Sequence, residues 1–140
     1  MGALRVADAM SRRPIMVPRH MRIDECARTM KRHGVGSVIV GTGRVFVGLV
    51  TEQDLVHSVI AQGTDPSELC VADIMSTDVV TVAPELELSE AMRLMTTHRI
   101  RHLPVLERHQ LVGFLTIKDL LDIQPALIEI FTERDRQKEL

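Results

Sequence analysis

Apolar positions along this chain fall into short blocks whose spacing shifts from strand-like to helical and back, and the same alternation occurs twice. Pro14 to Val17 and Val79 to Val82 are short extended pieces, followed by Pro18 or Pro84 as at a leading or edge strand. Ile23, Cys26, Ala27 and Met30 then recur at helical spacing, as do Leu88, Ala91, Met92 and Met95. Val35 to Val40 with Phe46 to Val50 predict two strands in the first half, and Leu103 to Leu106 with Leu111 to Leu115 two in the second. Gly41-Thr42-Gly43 and Glu107-Arg108-His109-Gln110 are the expected turns. These strands are almost continuously apolar, which predicts cover on both faces as in an α/β layer. A second helix starts at Thr51 or Thr116.

The alternation is a true internal repeat. A shift of 65 positions lays Val6 to Val56 on Val71 to Leu121 without a gap. Val6-Ala7-Asp8-x-Met10-Ser11 falls on Val71-Ala72-Asp73-x-Met75-Ser76, Val47-Gly48 on Val112-Gly113, and Thr51-x-x-Asp54-Leu55 on Thr116-x-x-Asp119-Leu120. The expected organisation is a first repeat at 1–62, a linker at 63–70 containing Gly63-Thr64-Asp65-Pro66, a second repeat at 71–123, and a C-terminal helix at 124–140. Units of roughly 60 residues bury only about 60% of their unfolded surface, so the two repeats are expected to share a core.

Composition narrows the function classes. With 45% apolar and 26% charged residues and a net charge of −2, the chain has no global field for nucleic acid. The longest apolar runs are strand-length, far short of a membrane span of about 20 residues. Arg5, Asp8, Arg12 and Arg13 interrupt any N-terminal export signal, so a cytoplasmic location is expected. Cys26 and Cys70 have no metal or redox spacing and read as reduced thiols. The six histidines lack the pairing of a metal site, and His33 and His98 coincide at a helix end, where an imidazole suits the dipole. No Gly-rich phosphate loop or Ser/His/Asp ordering stands out, so no enzyme activity is expected.

The Asp-x-Met-Ser opening, the His-x-x-x-x-Leu-Pro-Val stretch at His98 to Val105, and Val-Gly followed by Thr-x-x-Asp-Leu resemble two CBS domains covering Val6 to Leu121. The chain is similar to the stand-alone tandem pairs, or Bateman modules, of prokaryotes. That resemblance implies an α/β (α+β) fold of two pseudo-twofold-related β-α-β-β-α repeats packed sheet to sheet. It also implies an adenine nucleotide ligand (AMP ahead of ADP or ATP), a sensor role, and a homodimer of pairs that acts on an unidentified regulated protein. Neither cofactor nor nucleic acid nor membrane belongs to the expectation. An S-adenosylmethionine-type ligand and a ligand-free interaction scaffold are the alternatives.

The residues themselves suggest how such a ligand would be held. An ionised carboxylate accepts a hydrogen bond from each hydroxyl of a ribose, and Asp54 and Asp119 stand in the first turn of a helix that follows a strand, with Thr51 and Thr116 at the same rim. The same Thr-x-x-Asp is also a helix capping box, and the spacing alone leaves both readings open. Ile15-Met16 and Val80-Thr81 offer an aliphatic slot and a backbone edge for an adenine ring, or are simply core. By resemblance, Asp119 pairs with Ile15 and Asp54 with Val80. Arg101, His102 and Lys118 supply cations for phosphate or are solvated surface, whereas Gly36 and Ser37 occupy the matching first-repeat positions. The two sites are therefore expected to be unequal. The tail, with Leu127, Ile128, Ile130 and Phe131 ahead of the charged run from Glu133, is expected to be a helix packed on a partner subunit or on its own pair.

Overall fold

The computed structural model describes residues 3–123; the expected C-terminal helix at 124–140 lies outside them. The order of elements is α1 (Val6–Ala9), β1 (Met16–Val17), α2 (Ile23–His33), β2 (Ser37–Thr42), β3 (Val45–Thr51), α3 (Glu52–Leu55) running into a π-helical turn (Val56–Ile60), α4 (Val71–Ile74), α5 (Leu88–His98), β4 (His102–Glu107), β5 (Gln110–Thr116) and α6 (Ile117–Ile123). Among the described residues no helix is long and apolar enough to cross a membrane.

Two compact units form, and their limits differ from the repeats at 1–62 and 71–123. One, the inserted unit, is Pro14–Val79; the other, the split unit, joins the chain up to Arg13 with the chain from Val80 onward. Each repeat thus lends its opening segment to the unit built mainly from the other. The physical reason is visible in the cores. Val71 is packed with Val17, Ile23, Cys26, Met30 and Val38 in the inserted unit. Val6 is packed with Val82, Leu88, Ala91, Met95 and Leu103 in the split unit. Removing the opening segment from a unit would take a fully buried valine out of its core.

Backbone bonds fix the exchange. Val71 N donates to Met21 O at 2.8 Å and Ile23 N to Leu69 O at 2.9 Å; in the split unit Val6 N donates to Leu86 O and Leu88 N to Leu4 O, both at 2.8 Å. The connector at 63–70 is consequently no free tether, since Pro66 O also accepts from Asp24 N at 3.2 Å. The Met-Ser pieces then lie across the strands. Ser76 and Leu49 exchange hydrogen bonds of 2.9 and 3.0 Å, and Ser11 and Phe114 bonds of 2.8 and 2.9 Å. Such contact requires a bare backbone opposite. A Cβ on Gly48 would lie 2.8 Å from Met75 Sδ and 2.9 Å from Ser76 O, and one on Gly113 would lie 2.5 Å from Met10 Sδ and 3.0 Å from Ser11 O.

In the inserted unit β1 runs parallel to β2, with Met16 opposite Ile39, and β2 is antiparallel to β3. Val38, Ile39 and Val40 are all buried, so both faces of this strand are covered as the apolar run predicts. In the split unit β4 and β5 form an antiparallel pair, and the leading segment reduces to a single parallel bridge between Val82 and Val105. The strands extend further into the turns than expected. Gly41 and Thr42 belong to β2, and Glu107 and Gln110 pair with each other, which leaves two-residue loops at Gly43-Arg44 and Arg108-His109. α2 and α5 bury Ile23, Cys26 and Met30, and Leu88, Ala91 and Met95; Ala27, expected on that stripe, is exposed. His33 and His98 end these helices as expected, ahead of left-handed Gly34 and Arg99.

Two stability predictions arise here. Arg108 (φ 51) and His109 (φ 67) both adopt the left-handed conformation that disfavours a side chain. Replacing them by Asn-Gly should stabilise the protein by about 1–2 kcal/mol and raise the melting temperature by several degrees. Cys26 is fully buried, and burial pushes its thiol up from 9.0 to about 11. Its neutral form is therefore favoured in the fold. The stabilisation is intact below pH 9, where the thiol is neutral folded or unfolded, and is lost as pH rises from 9 towards 11, because only the unfolded chain then releases the proton. Chemical denaturation at pH 8 and pH 11 should show a loss for the native protein that Cys26→Val reduces by about 2 kcal/mol.

Candidate functional site

Each strand-to-helix junction places a threonine and an aspartate together because the strand ends where the helix needs a cap. At the first, Thr51 N donates to Asp54 Oδ2 at 2.8 Å and Asp54 N to Thr51 Oγ1 at 3.2 Å. At the second, Thr116 N donates to Asp119 Oδ2 at 2.8 Å, Thr116 Oγ1 to the same oxygen at 3.1 Å, and Asp119 N to Thr116 Oγ1 at 3.4 Å. Both are therefore capping boxes. In both, only Oδ2 is engaged; among the described residues Oδ1 receives no hydrogen bond. All four residues are half-buried. An ionised carboxylate has about four acceptor positions, so capping leaves capacity for a ligand hydroxyl.

The junctions also gather the other expected residues. Ser37 pairs with Thr51, and Glu52 N donates to Gly36 O at 3.0 Å. His102 pairs with Thr116, and Ile117 N donates to Arg101 O at 3.0 Å. Gly36, Ser37, Thr51 and Asp54 thus meet at one end of the inserted unit's sheet, while Arg101, His102, Thr116 and Asp119 meet at the matching end of the split unit's. Lys118 and Arg101 are exposed. His102 is half-buried, its ring 6.3 Å from that of Phe114 and tilted by 35°.

The leading segments run to the same ends. Ile15, Met16 and Val80 are half-buried, Ile15 and Val80 packed at the edges of their cores, and Thr81 is exposed. Val17 and Val82 are core. Ile15 lies in the unit that contains Asp54, and Val80 in the unit that contains Asp119; the expected pairings of Asp119 with Ile15 and of Asp54 with Val80 therefore join residues of different units.

Two features of these ends were missed by sequence reasoning. Ile15 O accepts from Ile39 N at 3.0 Å, but the residue matching Ile39 in the split unit is Pro104, which has no N–H. Among the described residues Val80 O receives no hydrogen bond, so it remains an acceptor for an exocyclic amino group. The second is Glu52, whose carboxylate lies over Gly36, 3.5 to 3.8 Å from where a Cβ would be. The Leu-Pro-Val motif carried the signal for the first; for the second, the only cue was an acid beside a glycine at matching positions of a strand and a helix.

Comparison with known proteins agrees with the repeat. The family model for the CBS domain matches residues 6–61 and again 71–126. The CBS domain-containing protein YhcV of Bacillus subtilis is 36% identical over 115 residues, which is 82% of this chain and 81% of that protein. Protein MK0525 of Methanopyrus kandleri is 39% identical over 111 residues; these span 78% of this chain and 57% of the relative, so the chain matches little more than half of that protein's length. Among solved structures, the CBS-domain containing protein ATU1752 of Agrobacterium tumefaciens superposes with a TM-score of 0.77 at 32% identity, over 86% of this chain and 92% of that one.

Proposed function

The chain belongs to the CBS domain family, as a tandem regulatory pair of mixed α/β fold, and we propose that it senses an adenine nucleotide, AMP ahead of ADP or ATP. The observation that carries this reading is the divided use of Asp54 and Asp119. One carboxylate oxygen of each holds the helix start and the other has no partner among the described residues, which suits a ribose diol. Val80 O suits the adenine amino group, and Arg101 and Lys118 suit phosphate. Occupancy is reported, on this reading, because the nucleotide binds one of two conformations more tightly and a downstream protein distinguishes them. The role is binding rather than catalysis, and AMP or ATP incubated with the protein is expected to come back unchanged.

The experiment is mass spectrometry of small molecules released on denaturing the purified protein, followed by calorimetry with AMP, ADP, ATP and S-adenosylmethionine. Heat and a defined stoichiometry with at least one nucleotide support the proposal; no heat with any of the four removes it. Self-association is part of the proposal because Val56 and Ile60, one helical turn apart, are 52% and 66% exposed. A melting temperature that rises with protein concentration and is indifferent to nucleotide would favour a ligand-free scaffold instead.

A further inference from the structure

The two junctions share a backbone and differ in charge. Glu52 N bonds to Gly36 O where Ile117 N bonds to Arg101 O, both at 3.0 Å, so the four positions correspond in space as well as in sequence. At the first, residues 36 and 52 to 54 are Gly, Glu, Gln and Asp; at the second, residues 101 and 117 to 119 are Arg, Ile, Lys and Asp. The first therefore carries two carboxylates where the second carries one carboxylate and two cations. The Glu52 carboxylate lies over Gly36, at ordinary van der Waals distance from where a Cβ would stand. Among the described residues Glu52 has no salt bridge to neutralise it.

We infer that Glu52 is a charge selector, by which the Asp54 site refuses phosphate and takes an adenosyl ligand that has none, leaving phosphorylated nucleotides to the Asp119 site. The inference rests on the proposed ribose grip by the two aspartates. Its physical basis is short-range repulsion. Two like charges about 4 Å apart cost about 1 kcal/mol in bulk water and more beside a protein surface, and Asp54 already adds a negative charge to anything seated on it. A neutral nucleoside escapes that cost.

Calorimetry in an Asp119→Ala background isolates the Asp54 site, with adenosine, AMP and ATP as probes; should the cap be needed for folding, Asp119→Asn is the second background, its titrations fitted to two sites because it keeps a weakened Asp119 site. The expected result is that adenosine binds at least as tightly as AMP. Adding Glu52→Gln should raise AMP affinity at least about fivefold while adenosine stays within about twofold. Glu52 is exposed, so an unchanged melting temperature for Glu52→Gln is expected and shows that the fold is intact. The inference is overturned if AMP binds better than adenosine and Glu52→Gln leaves their ratio alone. It is also overturned if folded Asp119→Ala binds none of the three probes, or Asp119→Asn shows the weakened Asp119 site alone, while Asp54→Ala still binds AMP, an outcome that leaves the nucleotide reading standing. Failure of the native protein to bind any adenosine compound removes both.

Discussion

Asp119→Ala should abolish measurable AMP binding at its site, weakening it about a hundredfold. A hydrogen bond to a charged group contributes about 1.5–3 kcal/mol, and two ribose hydroxyls lost together amount to about 3 kcal/mol or more. The same substitution removes the helix cap, which costs the ligand-free protein about 1 kcal/mol. These two effects separate in a thermal melt. The ligand-free midpoint falls by a few degrees, and the upward shift with saturating AMP disappears. Asp119→Asn, which keeps an acceptor for Thr116 N but loses the charge, should fall between, with melting close to the native protein and binding weaker by about tenfold. Should Asp54→Ala and Asp119→Ala both bind nucleotide as the native protein does and merely melt earlier, the Thr-x-x-Asp boxes are caps alone.

The other large effect belongs to Gly113. Its φ is not left-handed, so a side chain there meets no backbone strain; it meets Met10 and Ser11 instead. Met10 Sδ belongs to a flexible, unbranched side chain that can swing aside, whereas Ser11 O is held by the hydrogen bond it accepts from Phe114 N. Gly113→Ala should therefore cost about 2 kcal/mol and Gly113→Val about 3 kcal/mol or more, read as a lowered urea midpoint with an unchanged slope. Adding Met10→Ala should recover part of the loss for the alanine variant and little for valine, because the carbonyl contact persists. Gly48→Ala, facing Ser76 O, should behave as Gly113→Ala does.

Much of this was legible in the chain. Periodicity placed α2 and α5 and gave the strands to within a few residues, because burying one stripe or two faces leaves a repeating apolar pattern. The Met-Ser and Val-Gly pairs were visible as matched marks of a repeat. That they are the two sides of one contact was not, since Ser76 meets Leu49 beside the glycine of the preceding repeat and Ser11 meets Phe114 beside that of the following one, and separation along the chain carries no trace of it. For the site, the sequence supplied Thr51, Asp54, Thr116 and Asp119 but not the division of labour between carboxylate oxygens, which depends on which one faces the amide of the cap. Glu52 was passed over because a solvent-exposed acid in a first helical turn is common, and only its position over Gly36 sets it apart.

The lending of Val6 and Val71 to opposite cores bears on how such a chain arises and how it can be cut. A half-length gene product of this design would finish its hydrophobic interior with the leading piece of a sister molecule, and fusion of two copies would make that loan internal. Scissors placed between the repeats would leave two incomplete bodies, each missing its valine. A fragment from Pro14 to Val79 keeps Val71 together with Val17, Ile23, Cys26, Met30 and Val38 and is the stretch to express by itself.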